Sequence, residues 1–272
     1  MAIALPGTSD GTAQREQRLS DKLERSPGSF FKARARDLVL AADYADGRLP
    51  DNAYVATRRR HYHTVCGATY AVLLSSFELS IKSLYARIID RTSRYDGRLK
   101  GDTKLTIRPE LILANRDVAG AGDVFASQWN AWQAPTEVNQ RFCKLIGINP
   151  LDNTSVADLE KLWQIRHVIA HSSGVLSRLD RHRLGGAIEA DRALVIDGDY
   201  LTVVEERLLA VMTSAVGVVG KRLLDDYFEL NPTWDGEQDE FTALFLLGRV
   251  VGQTQDLPEV TEADFNAEHA TR

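Results

Sequence analysis

Arg166, His167 and His171 stand close together in the segment Leu159-Glu160-Lys161-Leu162-Trp163-Gln164-Ile165-Arg166-His167-Val168-Ile169-Ala170-His171. A guanidinium stays charged and offers a planar fork of donors suited to phosphate or carboxylate. An imidazole changes protonation near neutral pH, which suits it to proton transfer. On a 3.6-residue period Leu159, Leu162, Trp163, Ile169 and Ala170 fall on one apolar face, with Arg166 in its middle. A charge there is costly to desolvate unless an anion meets it. Breaks of this kind in a binary pattern often mark function. Two partners stay open: Glu78, whose helical neighbours Leu74, Ile81 and Tyr85 are apolar, as an internal salt bridge, or a phosphate entering a cleft.

His171 follows Arg166 by five residues, about 140° round an ideal helix. The two side chains share a face only if the helix loosens at its end, as Ser172-Ser173-Gly174 suggests. A histidine in a last turn also feels the negative end of the helix dipole, or simply caps free carbonyls. His167 and His171 lie four apart on one face. A zinc pair at that spacing needs a third ligand, and the glutamate of His-Glu-x-x-His is missing. His61, His63 or Cys66 could join only through folding, so neither metal nor cofactor is expected.

Two basic clusters extend the pattern. Arg58-Arg59-Arg60-His61-Tyr62-His63 opens one helical stretch, and Arg178, Arg181, His182 and Arg183 follow His171. Together they would give an anionic polymer a landing area; the plain alternative is a solvated charged face. Trp129 and Trp132 are expected to pack in the core rather than stack bases.

The elements that must position these groups read as helices. Phe31, Ala35, Leu38 and Ala42 mark a helix over 30–46. A long one over 53–94 carries the stripe Tyr70, Leu74, Phe77, Ile81, Leu84 and Ile88. Weaker helical pattern covers 109–115 and 124–132. A short helix holds Val138, Phe142, Leu145 and Ile146. Ser155 to Asp158 reads as a capping box opening a helix over 156–171, with Gly174 as its stop. Ala193–Ile196 and Tyr200–Val204, around Asp197-Gly198-Asp199, predict a β-hairpin. A helix over 205–230 follows, then a segment near 239–250. The expected fold is therefore mostly α: a helical bundle with one small β-hairpin over 53–230, a helical N-terminal extension at 1–52 and a partly helical appendage at 231–272.

Composition bounds the rest. The 272 residues are 44% hydrophobic with a net charge of −5, which argues against binding nucleic acid by bulk charge alone. The positive charge is mostly arginine, 25 Arg against 8 Lys. Cys66 and Cys143 cannot build a disulfide scaffold and read as reduced core thiols. The absence of an uninterrupted apolar run of membrane-spanning length, and of a signal-peptide pattern over Met1–Gly11, points to the cytoplasm and away from membranes. No phosphate-cradling Gly-rich loop, Gly-x-Ser-x-Gly elbow or Cys-x-x-Cys pair appears.

Arg166-His167-x-x-x-His171, closing a helix before a Ser/Gly-rich turn, resembles the Arg-x(4–6)-His motif of the HEPN superfamily of α-helical domains. In that motif a polar residue usually follows the arginine, and His167 fits. The stretch around Leu74–Ile88 with Glu78 looks like the family's first helix. Thr136–Phe142 and Leu145–Ile148 look like the short helix before the motif helix. The hairpin and last long helix also resemble bacterial members found in defence and toxin loci. Over 53–230 the resemblance implies a metal-independent endoribonuclease acting as a homodimer, its two motifs facing across a shared cleft. RNA 2′-OH would attack the adjacent phosphate, His171 would move a proton and Arg166 would stabilise phosphoryl charge, leaving 2′,3′-cyclic phosphate and 5′-OH ends. His167 and Glu78 would support the pair. Arg58, Arg59, Arg60, Arg178, Arg181 and Arg183 would hold RNA, and an antitoxin or defence-system protein is a possible partner. Two rivals stand beside this reading: a non-catalytic HEPN-like module binding RNA, a nucleotide or a protein, and a helical scaffold with an internal Arg166–Glu78 pair.

Overall fold

The computed structural model describes residues 25–48, 55–100, 120–128, 132–172, 174–184 and 194–228, together with Leu23, Pro109, Ile112, Leu244 and Phe245. Among these residues eight helices form: α1 (Pro27–Arg48), α2 (Val55–Arg91), α3 (Asp96–Lys100), α4 (Ala121–Ser127), α5 (Pro135–Ile146), α6 (Asn153–Ser172), α7 (Arg178–Arg183) and α8 (Gly198–Phe228). The mostly α expectation is met.

The 37-residue helix α2 organises the rest. Its stripe Tyr70, Leu74, Phe77, Ile81, Leu84 and Ile88 is wholly buried, and it packs against α1, α4, α6 and α8. Phe31 of α1 meets Phe77 edge-on at 5.4 Å between ring centroids. Tyr85 meets both Trp132 and Phe142 at 5.4 Å, tying α5 to the same core. Offset and edge-on aromatic pairs add to the burial of large rings. Within α2 the stretch His61–Arg91 is long and apolar enough to cross a membrane by length and composition, and half of its most apolar window is buried inside the fold. It forms the central helix of the bundle.

α1, read from sequence as an extension, contributes Phe31, Ala35, Val39 and Ala42 to this same core. Near its other end α2 is locked by a polar cluster. Tyr95 Oη donates to Asp226 Oδ2 at 2.8 Å, Arg222 pairs with Asp226 Oδ1 at 3.0 Å, and Arg94 reaches the Asp226 carbonyl. Burial first, then the neighbouring carboxylate, pushes the Tyr95 phenol up. Arg98 and Arg222 also donate to the Leu145 and Ile146 carbonyls at the end of α5, cations at the negative end of a helix.

Several sequence expectations change. The hairpin does not form: Tyr200–Val204 lie in the first turns of α8, and Ala193 lies outside the described residues. The Asp-Gly-Asp signal is a helix start. Asp197 accepts the Tyr200 amide at 2.9 Å through its carboxylate and the Leu201 amide through its carbonyl, and Asp199 adds negative charge to the first turn. The side chains favoured in turns are also those favoured at N-caps, so the local signal fitted both. Cys66 is buried as expected, but Cys143 is exposed. Trp132 is buried with its indole donating to the Ala126 carbonyl, while Trp129 lies outside the described residues. Of the segment near 239–250, Leu244 is buried and Phe245 packs on the core.

α4 lies close against α2 at Gly122. Gly122 donates its amide to Asp90 Oδ1 at 2.7 Å, and a Cβ there would overlap the Ala86 backbone carbonyl. That obstacle is backbone and cannot rotate away. Gly122→Ala is expected to cost about 1–3 kcal/mol of stability, the range for overpacking, read as a shift in chemical-denaturation midpoint; an unchanged midpoint would show that α4 does not dock as described.

Candidate functional site

The motif helix α6 is set by a cap, a crossing and a stop. Asp152 caps it, Oδ1 accepting the Ser155 amide at 2.6 Å, so the helix starts one turn earlier than the Ser155 capping box predicted. Hydrogen bonds from the backbone and side chain of Ser155 hold the Asp152 carboxyl below the ordinary carboxylate value. At the other end the helix stays regular through Ser172. Gly174, at φ +84°, then turns its amide back to the Val168 carbonyl at 3.2 Å. The early loosening expected at Ser172 does not occur, and His171 sits within the last regular turn.

α6 packs against α2 around Gly67–Ser75. A Cβ at Gly67 would touch Ile169 at 3.5 Å, Tyr70 Oη donates to the Leu162 carbonyl at 2.8 Å, and Arg166 reaches Ser75. From α8, Arg207 pairs with Asp158 at 2.6 Å. The inward residues are Ser155, Leu159, Leu162 and Val168. Trp163 and Ile169 are half-buried and Ala170 is exposed. The apolar face is thus turned slightly from the expected one, and Arg166 falls at its border.

Arg166 is half-buried. Its Nη2 donates to Ser75 Oγ at 3.3 Å, its Cζ lies 5.4 Å from the centre of the Trp163 ring, and its shielded Nε has no hydrogen-bond partner. Among the described residues no carboxylate pairs with it. The internal Glu78–Arg166 salt bridge, one of the two alternatives left open by the sequence, is not formed: Glu78 Oε2 accepts instead from Gln133 Nε2 at 3.1 Å. Ser75, which donates onward to the Ala71 carbonyl at 2.9 Å, was not legible beforehand. The small polar positions Ser75, Ser76, Ser80 and Ser83 along α2 were the available signal.

His167 and His171 are exposed, with ring centroids 4.7 Å apart. Together with Gln164 they form one stripe of α6, at spacings of three and four. Arg166 faces α2 instead, and no contact joins it to His171. Among the described residues no group of three His, Cys, Asp or Glu side chains is placed to hold a metal ion. His61 is exposed, Cys66 is buried, and His63 Nδ1 is hydrogen-bonded to the Ile196 carbonyl at 2.8 Å.

The short helix α7 follows the motif. Ser177 and Asp180 form a reciprocal capping box, a Ser-x-x-Asp pattern present but unread in the sequence. Arg178 and Arg183 are exposed, while Arg181 is half-buried with Nε donating to the Ser177 carbonyl at 3.4 Å. Asp180 is buried and ties α7 to α6 through Gln164, whose Nε2 donates to Oδ1 at 2.7 Å. Arg58, Arg59 and Arg60 fall in the first turns of α2, and their side chains lie outside the described residues.

No family model matches the chain, and neither a curated protein nor a solved structure matches it.

The site therefore has two sides: a guanidinium with spare donors facing α2, and a solvent-exposed imidazole pair beside an arginine-bearing helix. Both depend on α6, whose start Asp152 caps. With its carboxyl held low, the cap contributes stability above the ordinary value of 3.8 and loses it as pH falls through the lower folded value. Asp152→Ala is expected to lower the melting temperature at pH 7. The gap to wild type should close as pH falls below 4 toward 2, and a gap constant with pH would rule out the charged cap.

Proposed function

We propose that this chain is a metal-independent endoribonuclease of the HEPN type, and that Arg166 and His171 carry the reaction. The supporting observation is the state of Arg166. It is a half-buried guanidinium at the border of the apolar face of α6, with one long hydrogen bond, a shielded unpartnered Nε and no carboxylate beside it among the described residues. A permanent cation left in that state gains from an incoming anion, and its fork matches two phosphoryl oxygens.

The chemistry balances without a cofactor. The 2′-OH of one ribose attacks the adjoining phosphorus and loses its proton to a base. The bond to the 5′ oxygen breaks, that oxygen takes a proton, and the products are a 2′,3′-cyclic phosphate and a 5′-hydroxyl. His171 moves a proton, with His167 as the neighbouring imidazole that tunes or positions it. Arg166 stabilises the charge that builds on the non-bridging oxygens.

Because α6 is regular, Arg166 and His171 of one chain leave it about 140° apart. A homodimer solves this: the arginine of each copy and the histidine of the other line one cleft. Val72 and Leu79, each 42% exposed, flank Ser75 by one helical turn on either side and give α2 an apolar contact strip next to Arg166. Paired motifs would also concentrate positive charge in an otherwise acidic protein. The same angular separation favours the second reading, a module that binds RNA and does not cut it.

Cleavage of a labelled single-stranded RNA in EDTA by wild type, His171→Ala and Arg166→Ala separates the readings. Cyclic-phosphate ends from wild type, with a loss of about 100-fold or more in the rate of His171→Ala, are expected. Equal rates would remove the mechanism, and retention of RNA without cleavage would establish the binding module.

A further inference from the structure

His167 and His171 mark where an RNA strand would react, but two exposed imidazoles hold a polyanion weakly. Further arginines are carried by α7, a helix of only six residues. So short a helix does not hold a fixed orientation by its own backbone. Its sequence, Arg178-Leu179-Asp180-Arg181-His182-Arg183, would leave three arginines and a histidine on a piece of chain free to turn. One side chain prevents this.

Asp180 is 8% exposed, and every interaction of its carboxylate serves placement. Oδ2 accepts from the Ser177 amide at 3.0 Å and from Ser177 Oγ at 2.5 Å, which closes the first turn of α7. Oδ1 accepts from Gln164 Nε2 at 2.7 Å, which fastens that turn to α6. Gln164 is on the same stripe as His167 and His171, one turn before the first of them. The Ser177 hydrogen bonds hold the Asp180 carboxyl below its ordinary value, and His167 and Arg183 lie close enough to add to this. The fastening and the imidazoles thus share one edge of α6, opposite the side on which Arg166 meets α2.

We infer that Asp180 is a positioning residue: through Gln164 it fastens α7 to the His167–His171 edge, so that Arg178 and Arg183, at the two ends of α7 and about 140° apart round it, offer two separate phosphate contacts. These contacts take the backbone of nucleotides flanking the scissile phosphate. They read no base, since guanidinium contacts to phosphates fix register without sequence information. This extends the ribonuclease reading and rests on it for the location of the scissile phosphate. The clamp itself can be measured by binding alone.

The experiment measures binding of a fluorescein-labelled single-stranded RNA by anisotropy across a salt series, with cleavage followed in parallel. Asp180→Ala and Gln164→Ala are expected to weaken binding about 3- to 10-fold and to flatten the dependence of log affinity on log salt. The double variant Arg178→Ala/Arg183→Ala should do the same. In cleavage the loss should appear in KM, with kcat within about 2-fold. Asp180→Asn keeps an acceptor for Ser177 and a side chain able to bond the Gln164 amide, and it should restore most of the affinity.

A role through the arginines has a further signature: adding Asp180→Ala to the double arginine variant should cost nothing more. Additive losses, or an unchanged salt slope in both Asp180→Ala and Gln164→Ala, would overturn the clamp. Gln164→Ala keeps the test decisive if Asp180→Ala does not fold. If wild type binds RNA without cutting it, the ribonuclease reading fails while the clamp is still decided by the salt slopes. If wild type binds no RNA, the arginine contacts fall as well.

Discussion

Register between α2 and α6 governs every group assigned a role. Gly67 lies beside Ile169, Tyr70 spends its hydroxyl on the Leu162 carbonyl, and Arg166 comes level with Ser75. Burial of the Tyr70 ring pushes its phenol far up, so the hydroxyl stays a donor throughout the physiological range. The guanidinium is thereby supported by a neutral oxygen and an aromatic face, neither of which cancels its charge. Had a carboxylate stood at Ser75, the cation would have been consumed internally, because a buried ion pair gains little from a further anion.

The same helix sorts its polar groups by angle. Positions 159, 162 and 166 turn toward α2, while 164, 167 and 171 turn toward α7 and solvent. A single α-helix therefore carries an arginine edge and a histidine edge that cannot exchange roles, since its regular backbone persists through Ser172. Under the proposed function this asymmetry would make a two-copy arrangement chemically economical, because two copies would oppose unlike edges across one groove.

How much was legible beforehand follows from which forces decide each element. The α2 stripe, the break at Arg166 and the stop at Gly174 rest on periodicity and on one positive φ, both strong local signals. Tyr200–Val204 misled because β-branched and aromatic residues after Asp-Gly satisfy a strand rule, and only the cap by Asp197 with the packing of Leu201 and Val204 shows the helix. The Glu78 partnership failed for a different reason. Neighbours along α2 show that a side chain is flanked by apolar residues, but not that Gln133, distant in sequence, arrives first. Ser75 and the Gln164–Asp180 contact were invisible for the same cause, as both join segments whose adjacency only the fold creates.

One backbone contact reaches further than its size. The Gly174 carbonyl accepts the Leu194 amide at 2.7 Å, so the chain leaves α6 and returns toward α8 at a single point, with α7 strung between. Once the two ends of such an excursion are stapled, lengthening it costs only a slowly growing closure entropy. Added residues between α7 and Leu194 would therefore cost the bundle little, while α7 itself stays fastened to α6 by the Asp180–Gln164 hydrogen bond.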